Sequence, residues 1–374
     1  MAFSCDKSGD MDVLKRFVNQ GSSSPTEMHW RQAHSALETG LSDHRTSGDM
    51  DVLKRFVNQG SSSPTEMHWR QAHSALETGL SDHRTSDKPV SRALCACRQC
   101  ISVEDEDPWF MKRFNTSISP LLSQENAILP KSTYYWWQRL QTKQNANYGD
   151  VVRKLFKVVP GNGHYNDSGP NRCRTCAVVG NSGNLNGSDY GALIDSNDFI
   201  IRMNRAPILG YEKDLGNRTT HRVMCPESAT NLQKDTSLLL IPFKTLDLEW
   251  ITSALTTGTV KRTRMRVMAK INADKNKVLI YNPEFFKYVY DVWLERHGKY
   301  PSTGFLTLMF AIHVCDEVNV FGFGAAKDGT WQHYWEKNKF TRRKPTGWHA
   351  GDYESMTLKL LACKKRKIKL FEGK

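Results

Sequence analysis

The sequence predicts an α/β fold, a single catalytic-sized domain built on a mainly parallel sheet, and two observations carry that reading. Short apolar runs of strand length recur at Cys176–Gly180, Phe199–Asn204, Ser237–Phe243, Lys277–Asn282, Val318–Gly322 and Ile368–Phe371. Helical periodicity occupies Pro283–His297, Ser302–Cys315 and Tyr353–Lys365. Strands interleaved with helices pair in parallel through crossovers that cover both faces of the sheet, and such sheets collect ligands at the carboxyl ends of their strands.

Taken in order, the chain begins with a duplication. Gly9–Ser47 and Gly48–Ser86 are the same 39 residues, identical at every position. A working solenoid needs at least three repeats with drifted, capped ends, and two undrifted copies do not meet that condition. Each copy holds one short apolar cluster (Val13, Leu14, Phe17 and Val18 in the first) among Ser, His and Gln, too little to offset the entropy of ordering it. Residues 1–88 are therefore expected to lie outside the fold, and residues 89–374 to form it. Trp136-Trp137 and the Val151, Val152, Leu155, Phe156, Val159 pattern read as two short amphipathic helices ahead of the first strand. Ser302 or Thr303 is the expected N-cap of the helix that follows.

The formal charge of +13 is unevenly placed, since residues 261–374 carry 23 Lys and Arg against 11 Asp and Glu. A field of that sign attracts anions, from nucleic acid to a nucleotide-linked sugar acid. No nucleic-acid-binding module accompanies the Lys261–Lys270 and Lys364–Lys367 clusters, which sets that class aside, and the second cluster reads as a helix end before the apolar run at Ile368. The longest uninterrupted apolar run is Leu238–Phe243, so neither a membrane span nor a signal-peptide core is seen and a soluble chain is expected. Four Asn-x-Ser/Thr sequons, at Asn115, Asn166, Asn186 and Asn217, are compatible with a secretory route.

Nine cysteines fall at 5, 95, 97, 100, 173, 176, 225, 315 and 363. On spacing alone a disulfide framework and a zinc site built from Cys97, Cys100, Cys173 and Cys176 stand level, although the pairs of a structural zinc site usually lie closer in sequence.

Three segments carry chemistry. The strand from Cys176 runs into Gly180-Asn181-Ser182-Gly183, where two glycines let backbone amides approach a phosphate; without the full G-x-G-x-x-G spacing, a tight turn explains the string equally well. A second strand ends in Arg202-Met203-Asn204-Arg205, which sets polar groups where an open sheet collects its ligand. Trp331-Gln332-His333-Tyr334-Trp335-Glu336 precedes His349 and Glu354, and histidine is the side chain whose proton exchange is tuned to neutral pH.

Together these segments resemble the animal sialyltransferases. CAVVGNSGNL through GSDYG and IDSNDFIIRMNRAP to GNRTTHRVMCPES is similar to the family's long motif. Tyr300-Pro301-Ser302-Thr303-Gly304 through His313-Val314-Cys315 to Phe321-Gly322-Phe323-Gly324 is similar to its short motif. His333-Tyr334-Trp335-Glu336 resembles motif III, and His349 with Glu354 the very short motif. The likeness runs from about Cys95 to the C-terminus and is greatest to the β-galactoside α2,3-sialyltransferases that act on Galβ1-3GalNAc.

The resemblance implies a glycosyltransferase-A-like (Rossmann-like) domain in the Golgi lumen that uses CMP-sialic acid without a metal or other cofactor. It implies as acceptor the terminal galactose of O-glycans or glycolipids. It further implies disulfides Cys95–Cys100, Cys97–Cys173 and Cys176–Cys315, with Cys225 and Cys363 left as thiols, which displaces the zinc reading. His349 is the implied general base and His333 the group on the leaving phosphate. Asn181, Ser182, Asn204, Ser302, Thr303, Gly304 and Arg264 are the implied donor contacts, and Gln141, Tyr300 and Trp331 the acceptor contacts. Four departures stand out: Cys225 where the family has tyrosine, Arg264 where near relatives have a phosphate-facing tyrosine, Gln332 for the first of two histidines, and no amino-terminal anchor. The first and third favour an alternative, a catalytically weak relative that binds CMP or glycans.

Overall fold

The computed structural model describes Cys97, Cys100, Ile101 and Asp107–Gly373, apart from 141–145, 162–164, 166–170, 326–331, 337–347 and 365–366. Gln141, Trp331, Cys95 and the tandem repeat lie outside the described residues.

Seven strands form one sheet: β1 (Thr175–Val179), β2 (Phe199–Met203), β3 (His221–Met224), β4 (Ser237–Leu240), β5 (Val278–Ile280), β6 (Glu317–Phe321) and β7 (Ile368–Phe371). Their order is β5-β4-β3-β2-β1-β6-β7, and every pairing is parallel. The chain builds outward from β1 in one direction as far as β5 and then returns to add β6 and β7 on the other side. β1 and β6 therefore flank the point where strand order reverses, the place at which open parallel sheets form a crevice.

Alternation along the strands sends neighbouring side chains to opposite faces. Cys176 and Val178 join a large core with Ile201, Val223 and Leu239, while Ala177 and Val179 join a smaller one with Ile200 and Phe321. The smaller core is covered by α4 (Gly191–Asp195), α5 (Glu212–Leu215) and the ring of Tyr334. Among the described residues, three helices precede the sheet: α1 (Pro108–Met111), α2 (Lys131–Gln138) and α3 (Tyr148–Leu155), the last two falling where the aromatic and valine patterns place them. The larger core takes up α6 (Thr245–Ala254), α7 (Pro283–Tyr288), α8 (Thr303–Val314) and α9 (Gly351–Lys364). From Phe305 to Val314 only His313 escapes full burial, so α8 is apolar on all sides, as a helix laid across a central sheet requires.

Three sequence expectations need correction. β3 was not expected as a strand, because His221 and Arg222 interrupt its apolar run; His221 bonds Tyr165 and Thr220, and one guanidinium nitrogen of Arg222 donates to the Asn204 and Ala206 carbonyls. The helix from Pro283 does not reach His297: it widens into a π-turn over Val289–Trp293, and Glu295 and Arg296 then adopt positive φ. Cys363 is disulfide-bonded rather than a free thiol. Cys97–Cys173 and Cys176–Cys315 are paired, and Cys100 is also disulfide-bonded, so the four sulfurs of the zinc reading are all engaged in disulfides. Cys225 is the free thiol among the described cysteines, and burial pushes its pKa up.

Candidate functional site

A cleft of about 320 Å3 opens at the carboxyl ends of β1, β2 and β6, lined by Gly180, Asn181, Ser182, Met203, Gly322 and Phe323. The chain can turn so tightly here because two glycines meet. A Cβ on Gly180 would fall 2.2 Å from the Gly322 carbonyl oxygen, and Gly322 itself sits at φ +70°. After Gly180 the chain enters a 3-10 turn, Gly183–Leu185, which the Ser182 hydroxyl caps by accepting the Asn184 N–H.

The wall opposite comes from the segment around His333, which is fastened to that turn by backbone bonds. Gly183 N–H donates to the Gln332 carbonyl at 2.7 Å and Tyr334 N–H to the Asn181 carbonyl at 3.0 Å. The Tyr334 hydroxyl reaches on to the Pro207 carbonyl at 2.6 Å. His333 stacks on Trp335 with ring centroids 4.5 Å apart, and its Nδ1 lies 2.8 Å from Glu336 Oε1. Glu336 therefore holds Nδ1–H and directs the other ring nitrogen away from itself.

The floor is the amino end of α8. Ser302 is its N-cap, with Oγ accepting the Phe305 N–H at 3.1 Å, and the serine is itself gripped by Glu354, which receives both its backbone N–H (2.7 Å) and its hydroxyl. Burial pushes the Glu354 carboxyl up, and the bonds from Ser302 oppose that shift. Gly304 keeps the helix entrance open, where the positive end of a helix dipole attracts negative charge.

His349 completes the cleft. Its Nδ1 lies 2.9 Å from the Tyr300 carbonyl, and a carbonyl can only accept, so the neutral ring carries its proton on Nδ1 and its lone pair on Nε2. The Tyr300 ring meets the imidazole edge-on at 4.9 Å.

Asn181, Ser182, Ser302, Gly304, His333 and His349 thus line one cleft, although 168 positions separate Asn181 from His349. Thr303 is the first residue of α8, directly beyond the cap. Asn204 follows β2 at φ +56°, with its N–H bonded to the Val223 carbonyl. Tyr300 and Arg264 sit together beside the cleft. Burial raises the Tyr300 hydroxyl's pKa, and the Arg264 guanidinium that hydrogen-bonds it pulls the other way. Arg202 does not face the cleft with its neighbours: it is buried, and its guanidinium donates to the Leu215 and Arg218 carbonyls.

Sequence reasoning named Asn181 as a donor contact, but it missed that Asn181 and Gln332 each carry a buried acceptor at the cleft. Asn181 Oδ1 and Gln332 Oε1 are shielded from solvent without a hydrogen-bond partner among the described residues. Gln332 stood out in the sequence only as a departure from a histidine. It missed, too, the buried cluster in which Lys244 pairs with Asp247 (2.7 Å) and Glu227 (3.6 Å), a support for the loop that carries Arg264.

Residues 121–366 match the family model described as glycosyltransferase family 29 (sialyltransferase). Over 287 residues the chain is 51% identical to CMP-N-acetylneuraminate-beta-galactosamide-alpha-2,3-sialyltransferase 1 of Gallus gallus, covering 76% of this chain and 83% of that one. It is 50% identical over 281 residues to the corresponding sialyltransferase 2 of Mus musculus, covering 75% of this chain and 80% of the relative. The fold is similar to the crystal structure of a mammalian sialyltransferase in complex with Gal-beta-1-3GalNAc-ortho-nitrophenol, with a TM-score of 0.69 and 49% identity over 75% of this chain and all of that one. The seven-stranded parallel sheet is accordingly of the glycosyltransferase-A-like kind, and the chain belongs to glycosyltransferase family 29, the sialyltransferases.

Proposed function

We propose that this enzyme transfers sialic acid from CMP-sialic acid to the 3-hydroxyl of galactose in Galβ1-3GalNAc-type glycans of glycoproteins or glycolipids, in one displacement that inverts the anomeric centre. The carrying observation is that His349, whose Nδ1 bonds the Tyr300 carbonyl and whose lone pair is therefore on Nε2, lines the same cleft as Asn181, Ser182 and His333. A sugar hydroxyl is a poor nucleophile until a base removes its proton during attack, so His349 is the base in this reading. Negative charge grows on the phosphate as the bond to CMP breaks. His333 and the amino end of α8 stand ready to stabilise it, a task they perform without a metal.

Asn181, Ser182, Asn204, Ser302, Thr303 and Gly304 form the donor side in this scheme, with the unpaired Asn181 Oδ1 receiving a donor group of the nucleotide. Tyr300, Gln141 and Trp331 form the acceptor side. The working compartment is the Golgi lumen; no helix among the described residues is long and apolar enough to cross a membrane.

The test is to incubate the full chain with CMP-sialic acid and Galβ1-3GalNAc in the presence of EDTA and to determine the product's linkage and anomeric configuration. An α2,3-linked product formed at the same rate with and without chelator is expected. CMP binding with no transfer would leave a binding relative instead, and a different linkage would move the acceptor assignment.

A further inference from the structure

Beside the cleft stands a basic hairpin, of which the resemblance gives only Arg264 a part in the transfer, as a donor contact. Residues 261–267 fold back on themselves through the Val267 N–H to Lys261 carbonyl bond (3.1 Å), the Thr263 N–H to Met265 carbonyl bond (2.9 Å) and a bridge between Arg262 and Arg266. Lys261, Arg262, Arg264, Met265 and Arg266 are all exposed. Like charges opposite one another on a ladder oppose pairing, yet here Arg262 faces Arg266. None of the four cations is in an ion pair among the described residues.

The hairpin tip is held in place. Glu227 accepts the Thr263 hydroxyl at 2.6 Å and the Arg264 N–H at 3.3 Å, and Glu227 is steadied from below by buried Lys244. From this tip the Arg264 guanidinium carbon reaches to 5.7 Å from the centre of the Trp348 ring, while Lys299 Nζ approaches the same ring to 3.9 Å. Trp348 is 48% exposed and immediately precedes His349, and its edge meets the ring of Tyr300. Two cations thus share one exposed indole next to the proposed base, and neither is in an ion pair among the described residues.

We infer that Arg264, Lys299 and Trp348 form an acceptor subsite for a saccharide bearing a negative charge, a sulfate ester or a sugar carboxylate, so that the enzyme prefers anionic over neutral acceptors. The two cations, gathered over the exposed indole, receive the anion. The remaining hairpin cations, Lys261, Arg262 and Arg266, add a field that gathers such acceptors. This inference rests on the proposed transfer to galactose, because the subsite is defined by its place beside His349.

The test compares kcat/KM of the full chain for three acceptors: Galβ1-3GalNAc, the same disaccharide with a sulfate on GalNAc O6, and the same disaccharide with sialic acid on that oxygen. The charged acceptors are expected to be favoured about two- to fivefold at low salt, the scale of one partly exposed charge pair. That ratio should fall toward one in Arg264→Gln and in Lys299→Gln, and should shrink as salt is raised. Preference for only one of the two charged acceptors identifies which anion the subsite takes. Equal use of all three overturns the subsite while leaving the transfer reading intact. So does an Arg264→Gln variant that keeps the ratio but raises KM for CMP-sialic acid, since Arg264 would then serve the donor phosphate. Absence of transfer to every acceptor overturns the transfer reading and the subsite with it.

Discussion

Acid should weaken this protein through two histidines held in desolvating surroundings, and His313→Met isolates one of them. His313 lies on α8 with Nδ1 donating to the Met309 carbonyl, enclosed by the rings of Phe114, Phe285 and Tyr288. Burial pushes its pKa down from 6.5 to about 4, and that of His221 down to about 3. The network at His221 shows why. Thr220 Oγ1 donates its one proton to the Ile200 carbonyl and so accepts from Nδ1, which leaves Nε2 to accept from the Tyr165 hydroxyl. A second ring proton would put a charge on a desolvated ring close to the Arg174 guanidinium, and both effects disfavour it. For either histidine the folded pKa lies below the unfolded one, so the unfolded chain binds more protons and stability is lost as pH falls below about 6.5. At pH 5 each contributes a loss of about 2 kcal/mol, from 1.36 kcal/mol per pH unit over about 1.5 units. Asp247, raised to about 6 by burial, works in the opposite direction, so the wild type alone is not a clean readout. Urea unfolding of wild type and His313→Met at pH 7.5 and 5.0 removes that problem. Methionine fills a similar volume without titrating, so the stability of wild type relative to the variant should fall by about 2 kcal/mol between the two pH values. A difference that stays constant with pH would refute the argument that His313 is held neutral.

Three further outcomes are expected. His349→Ala should lower turnover by about 10²- to 10⁴-fold with CMP affinity little changed, measured by steady-state kinetics and calorimetry; retention of most activity would remove His349 as the base. Gly180→Ala should lose about 1–3 kcal/mol of stability and raise KM for the donor, because its Cβ has only the Gly322 carbonyl to meet and β1 must move with Asn181 and Ser182 attached. A wild-type thermal midpoint in that variant would show that the two turns separate freely. Replacing both Cys176 and Cys315 by alanine should cost up to about 5 kcal/mol, the chain-entropy value for a closed loop of this size; their separation of 139 residues sets that figure. An unchanged denaturation midpoint would count against it.

How much of this was legible in advance depends on how local each cause is. The parallel sheet was readable because most of its strands are uninterrupted apolar runs, and burial on both faces demands just that. Ser302 was readable as an N-cap because a cap bonds within three residues of itself. The cleft motifs were readable as four separate strings, each with its own glycines and polar groups.

What joins those strings was not. β3 stayed hidden because His221 and Arg222 are tolerated inside a sheet only where Tyr165 and the Asn204 and Ala206 carbonyls receive them. Cys363 looked free because disulfide partners are chosen by proximity in space. Arg202 and Arg264 are chemically alike in the sequence, yet one spends its donors on buried carbonyls and the other stands over an exposed indole 84 positions away. The sequence by itself determined the apolar strands, the cap and the chemical inventory of the cleft. Tertiary structure alone decided which polar groups are consumed inside the fold and which remain for a ligand, because a donor or acceptor is satisfied by whatever lies within about 3 Å of it, at any distance along the chain.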